Sequence, residues 1–281
     1  MHTTYSLYPI NNASDFGFDP DDYSRFKFGD GEVSKYFGQT LADGFIKQHL
    51  DKQPIDQQIV VISSPYSFIP TATFAMKTWF VYQLNRWLAQ HGYPVIQETK
   101  VHRTITYKED YGELDAAQRI SLIGNDSFHI DKDFLDGKTL VFLDDIKITG
   151  SHERMIMKMV GEYGLQNDIY MLYFAELVNP NIHPKIENLL NYHQVKTIFH
   201  LEPIIKSGNF VINTRIVKYI LNYNFDCFCI FIENQTNDFV NLLYDMALGN
   251  GYHTIEAYAR NLDFITENLF INHKNLIKHG N

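Results

Sequence analysis

The stretch LVFLDDIKITGSHER gathers the residue types that binding chemistry needs. An apolar run ends in two adjacent carboxylates, Asp144 and Asp145, and a short I-T-G-S-H turn then leads into a helix-forming segment. In an open parallel sheet, ligands bind beyond the carboxyl ends of the strands, so the two acids fall at the ligand edge. Ile148 through His152 can present backbone N–H groups at a helix N-terminus, an arrangement suited to phosphate. Gly150 permits the tight turn, and the hydroxyls of Thr149 and Ser151 add donors. Carboxylates beside a phosphate cradle would repel a lone anion. They suit a sugar phosphate, whose ribose hydroxyls donate to the acids while the cradle holds the 5-phosphate. The competing reading is structural: the acids merely end a strand and Ser151 caps a helix.

Such a turn needs a scaffold, and the 281 residues are enough for a large domain with additions and a real core. Hydrophobic residues make up 45% and charged residues 20%, which excludes collagen-like, low-complexity and disordered classes. A net charge of -9 argues against general nucleic-acid binding. The start MHTTYSLYPINN has no basic segment followed by an apolar one, and no apolar run is long enough for a membrane span, so a cytoplasmic setting is expected without nucleic-acid or membrane partners. Alternation along DCFCIFI predicts a strand with Cys227 and Cys229 on one face as ordinary buried thiols. Two cysteines alone do not complete a zinc site. SHERM begins like a zinc-protease helix, but Ile156 stands where the second His belongs.

The chain reads as three stretches: residues 1–55, an N-terminal extension; 56–206, an alternating core; and 207–281, a mostly helical C-terminal region. The first opens with a polar segment, followed by a short strand over SRFKFGD and a helix through Phe37, Leu41, Phe45 and Ile46. In the core, QIVVIS, YPVIQETKVHR, TLVFLDDI, IYMLYFAELV and TIFHLEPII read as strands. TATFAMKTWFVYQLNRWLAQHG, SHERMIMKMVGEYG and PKIENLLNYHQV read as helices. Strands alternating with helices predict an α/β fold, a mostly parallel sheet with helices on both faces.

LVFLDDIKITGSHE resembles the hallmark of the type I phosphoribosyltransferase family: an apolar strand, two acids, a short spacer and a Thr-Gly turn before a helix. Ile148 replaces a commonly hydroxylated residue, and His152 a common Thr or Ser. The resemblance covers about Gln57 to Lys206. It implies a site for phosphoribosyl pyrophosphate (PRPP) made of Asp144, Asp145, Lys147, Ile148, Thr149, Gly150, Ser151 and His152. VVISSPYSFIPTA occupies the place of the family's pyrophosphate loop, with Ser63, Ser64, Pro65, Tyr66 and Ser67 as candidates. KVHRTITYKEDYGELDAAQR takes the place of its mobile basic loop. The segment Y-K-E-D-Y-G-E is similar to the Lys-Asp-His-Gly-Glu stretch of orotate phosphoribosyltransferases, with Tyr111 for His, which makes Lys108 and Arg103 catalytic candidates beside Asp144 and Asp145.

The resemblance implies attack of a nitrogen acceptor on C1 of PRPP with release of pyrophosphate, assisted by Mg²⁺ held by Asp144 and Asp145, through water if not directly. End additions in this family form a hood over the nucleobase, so residues near Arg25 to Gly31, or tail aromatics, are candidates for setting the acceptor. Taken alone, Arg25, Lys27 and Asp30 read as a surface turn. RFKFGDGEVSKYFG also resembles bacterial phosphoribosyltransferase-like proteins of stress-resistance clusters. The acceptor and the oligomeric state, a homodimer among the options, are left open. The alternative is a non-catalytic protein that binds PRPP or a nucleotide. A PRPP-forming pyrophosphokinase resembles two tandem cores, and only one motif is present. If the acids serve ligand, Asn in place of either should spare folding and weaken binding.

Overall fold

The computed structural model describes residues 2–52, 54–103 and 128–278. Its strands are β1 (His2–Ile10), β2 (Ile59–Ser63), β3 (Gln97–Glu98), β4 (His102–Arg103), β5 (Phe128–His129), β6 (Thr139–Lys147) and β7 (Ile169–Leu177). Five of them form one parallel sheet in the order β1-β7-β6-β2-β3, while β4 and β5 pair as a small antiparallel ladder. Pairing of Val61 with Val141 and of Val141 with Tyr170 fixes the central register. The three central strands are buried on both faces, which is why β2, β6 and β7 read as continuous apolar runs.

Alternate residues serve opposite faces. Ile59, Val61, Val141, Leu143, Leu172 and Phe174 face α1 (Pro20–Lys27), α2 (Gly31–Phe45) and α3 (Ala72–Gln90). Val60, Ile62, Leu140, Phe142 and Met171 face α4 (Lys132–Leu135) and α5 (Ser151–Glu162). A third apolar cluster runs from Val195 to Ile265 and takes in Phe28 and Ile69. It draws on α7 (Glu202–Ile205), α8 (Thr214–Leu221), α9 (Phe225–Glu233), α10 (Asn237–Gly249) and α11 (Glu256–Lys278), which follow α6 (Ile186–Asn191). The expected α/β class, with helices on both faces and helical additions, is what the chain adopts. At Gly38 α2 passes close to the α3 backbone: a Cβ there would lie 2.3 Å from the Met76 carbonyl oxygen and 2.8 Å from the Phe80 nitrogen.

Several local expectations are corrected. The polar N-terminal segment is an edge strand, pairing in parallel with β7 from His2↔Ile169 to Ile10↔Leu177. An edge strand with a half-exposed face lacks the apolar signal of a central one. The first four residues of SRFKFGD are the end of helix α1 rather than a strand, and the rest is a turn; Asp19 accepts from Asp21 N at 2.8 Å and Pro20 sits in the helix's first turn. CFCIFI is α9, capped by Asn224 and burying Phe228, Phe231 and Ile232 at helical spacing. Cys227 and Cys229 are half-buried in that helix, two positions apart and so on different sides. TIFHLEPII forms a 3-10 turn over Ile198–Leu201 and then α7, while YPVIQETKVHR contributes only β3 and β4.

Candidate functional site

The chain leaves β2 through α3 toward β3 on one side and leaves β6 through α5 toward β7 on the other. The sheet therefore changes direction between β2 and β6, and a crevice opens beyond the carboxyl ends of that pair. A cavity of about 210 Å³ lies there, walled by Ser64 and Pro65 after β2, Thr71 to Thr73 at the start of α3, and Asp144 to Glu153. Lys27, Glu187 and Arg215 close it from the helical side.

Asp144 and Asp145 stand on this crevice. Asp144 Oδ1 accepts from Ser64 Oγ at 2.6 Å and Thr73 Oγ1 at 3.2 Å, and Oδ2 accepts from His152 Nδ1 at 2.5 Å. Asp145 Oδ1 accepts from Thr73 Oγ1 at 3.1 Å, and Oδ2 accepts from Tyr23 OH at 2.5 Å and from Lys27 Nζ. Lys27 and Tyr23 lie one helical turn apart on α1, so both reach the same carboxylate. Lys27 is 8% exposed and Asp145 5%, which makes this a buried ion pair. Of the surface turn expected at Arg25, Lys27 and Asp30, Lys27 and Asp30 are buried, while the Arg25 side chain keeps 42% exposure. Asp30 is 5% exposed, caps α2 through Glu32 N and Val33 N, and accepts from Arg25 Nη2 at 2.5 Å. Asn213 Nδ2 donates to the Lys27 carbonyl, tying the loop before α8 to the end of α1.

Burial acts to raise the Asp144 pKa, but the His152 imidazole, the Ser64 hydrogen bond and the Lys27 charge together hold it well below the usual carboxylate range. Burial, and then the Asp145 charge, push the Tyr23 phenol far above its ordinary value and keep it protonated as a donor. A carboxyl depressed in the folded state adds stability above its unfolded pKa of 3.8, and that stability is lost as pH falls through the folded value. His152→Ala removes the main source of the depression. Its acid-unfolding midpoint, followed by circular dichroism, is expected at higher pH than that of wild type.

The turn after β6 has the expected form. Gly150 adopts φ 67° as the residue before α5, and Thr149 Oγ1 and Ser151 Oγ lie 2.8 Å apart. Arg154, which sequence reasoning passed over, folds back one turn to donate to the Thr149 carbonyl at 2.9 Å and to Ser151 Oγ at 3.0 Å. A Cβ at Gly150 would lie 3.3 Å from Arg154 Nη1 and 3.7 Å from Lys147 Cε. Gly150→Ala is expected to cost about 1 kcal/mol of stability from the left-handed backbone alone, read by urea unfolding.

The remaining candidates separate. Lys147 lines the cavity, but its ammonium is held by Glu153 at 2.9 Å and Glu176 at 3.0 Å. The Ile148 side chain packs on the apolar cluster under α2 and α3, which explains its type. In the loop after β2, Ser64 and Pro65 reach the cavity, whereas Ser63 ends the strand, Tyr66 packs on Phe74, and the Ser67 carbonyl accepts from Lys100. Arg103 lies in β4, paired with Phe128 of β5. Lys108 lies outside the described residues. The site also takes in Tyr23, Thr71, Thr73, Glu187 and Arg215, which the sequence does not single out, and Lys27, which it offers only within the stretch near Arg25 to Gly31 as a residue setting the acceptor or a surface turn.

Mg²⁺ is the ion that the motif implies. Each of the four carboxylate oxygens already accepts a protein hydrogen, one of them from an ammonium and one from an imidazole. A divalent cation placed on the pair would sit against Lys27 and meet like charge. The residues as folded do not fit it.

A family model described as PRTase ComF-like matches residues 1–265. The chain belongs to the ComF-like phosphoribosyltransferase family. The type I resemblance drawn from LVFLDDIKITGSHE is borne out by that match. No curated protein matches the chain significantly. Among solved structures it is similar to a hypoxanthine phosphoribosyltransferase from Staphylococcus aureus at 10% identity and a TM-score of 0.33, covering 51% of this chain and 74% of that one. It is also similar to the L. donovani hypoxanthine-guanine phosphoribosyltransferase at 12% identity and a TM-score of 0.32, covering 52% and 72%. A Trypanosoma cruzi hypoxanthine phosphoribosyltransferase mutant, complexed with its product IMP, aligns at 14% identity and a TM-score of 0.31, covering 54% and 77%. These likenesses are partial. Among the described residues, no helix is long and apolar enough to cross a membrane.

Proposed function

We propose that this ComF-like chain binds PRPP in the crevice between β2 and β6 and transfers its phosphoribosyl group to a small nitrogen acceptor. The observation that carries the reading is the turn at Gly150, which opens α5 beside two carboxylates at the point where the sheet changes direction. Backbone N–H groups from Ile148 to His152 take the 5-phosphate, with Arg154 one turn behind them. Asp144 Oδ2 and Asp145 Oδ1 each carry a single protein hydrogen bond to a side chain, which leaves a lone pair for a ribose hydroxyl. Thr71 Oγ1, buried in the cavity wall without a hydrogen-bond partner, supplies a further donor to the ligand.

In the transfer step the acceptor nitrogen bonds to C1 as the bond from C1 to the pyrophosphate oxygen breaks, and the acceptor's proton passes to solvent water as pyrophosphate leaves. Lys27 and Arg215 line the crevice, and their charge favours the negative charge that builds on the leaving group. A pyrophosphate-release assay with PRPP, across nucleobases and related amines, tests this directly. Acceptor-dependent release is the expected result, and PRPP that fails to bind at millimolar concentration refutes the reading.

A second reading, a protein that binds PRPP or a nucleotide without turnover, is favoured by one observation: the acid pair is already engaged by the Lys27 ammonium on Asp145 and the His152 imidazole on Asp144. PRPP binding without pyrophosphate release from any acceptor would select it.

A further inference from the structure

The acid pair that the motif assigns to a metal is already served by a cation of the chain itself. Lys27 reaches Asp145 Oδ2 from α1, and its charge also acts on Asp144. Its side chain is 10% exposed, Tyr23 OH shares the same carboxylate oxygen, and Asn213 holds its carbonyl. A lysine exposed on the surface would swing away at little cost, but this one is enclosed between the sheet end and the C-terminal helices. Withdrawing it would leave an unpaired carboxylate and an unpaired ammonium in the interior. Lys27 also lines the cavity, so it faces whatever the acids face.

We propose that the Lys27 ammonium takes the place of a divalent cation on Asp144 and Asp145, so that the crevice binds its phosphoribosyl ligand without a metal. The inference rests on the reading of the crevice as a phosphoribosyl site and adds how that site balances its charge. It also assigns a function to the N-terminal helix: α1 supplies the counter-charge that the sheet-end acids need before a phosphorylated sugar can approach them. A single ammonium carries less charge than Mg²⁺, and the His152 imidazole adds a hydrogen bond at Asp144 Oδ2.

The test uses ribose 5-phosphate, which has no pyrophosphate to chelate a metal on its own account, and PRPP beside it. Calorimetric titrations of the full chain are run in chelator and in millimolar Mg²⁺, and Mn²⁺ alone is titrated by electron paramagnetic resonance. For wild type the expected results are ribose 5-phosphate affinities that agree within about twofold with and without metal, and no stoichiometric Mn²⁺ site on the protein. Lys27→Met keeps the bulk of the stem and uncovers the acids. It should bind Mn²⁺ at one equivalent and lose about tenfold or more in ribose 5-phosphate affinity in chelator, regained with Mg²⁺.

Wild-type ribose 5-phosphate binding that appears only with Mg²⁺, or a stoichiometric Mn²⁺ site on wild type, would overturn the proposal. So would Lys27→Met folding normally and binding without metal as wild type does. If Lys27→Met does not fold, the wild-type titrations decide alone. If neither ligand binds in any condition, the phosphoribosyl reading fails, and the Mn²⁺ titration of wild type still decides whether Lys27 occupies the metal's place.

Discussion

Asp145→Asn is expected to lower the unfolding free energy by about 3 kcal/mol, the cost of removing one partner from a buried ion pair. The sequence alone leads to a different expectation: if the acids serve ligand, Asn in place of either spares folding and weakens binding. That expectation lacked the partner. Asp145 is enclosed with Lys27, and its carboxylate also accepts from Tyr23 and Thr73, so an amide in its place strands an ammonium in the interior. The double variant Lys27→Met, Asp145→Asn removes the stranded charge and should recover most of the loss. Urea unfolding of wild type, the two single variants and the double variant gives the coupling between the residues. A coupling near zero would mean that the two charges do not depend on each other. Ligand affinity should fall in Asp145→Asn as well, so stability and binding move together rather than in opposite directions.

What was legible in the sequence was what depends on near neighbours. The run TLVFLDDI announces β6 because a central parallel strand is apolar on both faces, and Gly150 announces the turn because a left-handed residue before a helix selects glycine. Lys27 could not be read the same way. Its partner lies 118 positions along the chain, and R-F-K-F-G-D gives no sign of which sheet end it will meet. The strand β1 was hidden for a related reason: HTTYSLYPI becomes a strand by pairing with β7, and its half-exposed face leaves an ordinary polar pattern. In α9 the local preference of C-F-C-I-F-I for extended structure was overridden by the Asn224 cap and by burial of Phe228 and Phe231 in the C-terminal cluster. Arg154 is intermediate, since its spacing from Gly150 was visible while its hydrogen bonds to Thr149 and Ser151 were not.

Gly38→Val should be strongly destabilising, with a loss of about 3 kcal/mol or more from overpacking against main-chain atoms that cannot rotate away. The Cβ alone would stand 2.3 Å from the Met76 carbonyl oxygen and 2.9 Å from the Trp79 Cβ, so α2 and α3 must separate to admit any side chain. The separation reaches the site through the two helices' own ends. Thr73, at the start of α3, donates toward both acids, and α2 begins at Gly31, directly after the Asp30 cap that follows α1 and its Lys27. Moving one helix from the other therefore shifts Thr73 relative to Lys27, and both hold Asp145. Reduced thermal stability together with weakened ribose 5-phosphate binding is the expected result for Gly38→Val. Gly161→Ala on α5, where a Cβ meets nothing within 4 Å, serves as the control and should match wild type or exceed it in stability. Gly38→Val with wild-type stability would show that α2 and α3 do not meet backbone to backbone. If it were destabilised but bound ligand normally in its folded fraction, the helix pair would hold the core without setting the geometry of the acid pair.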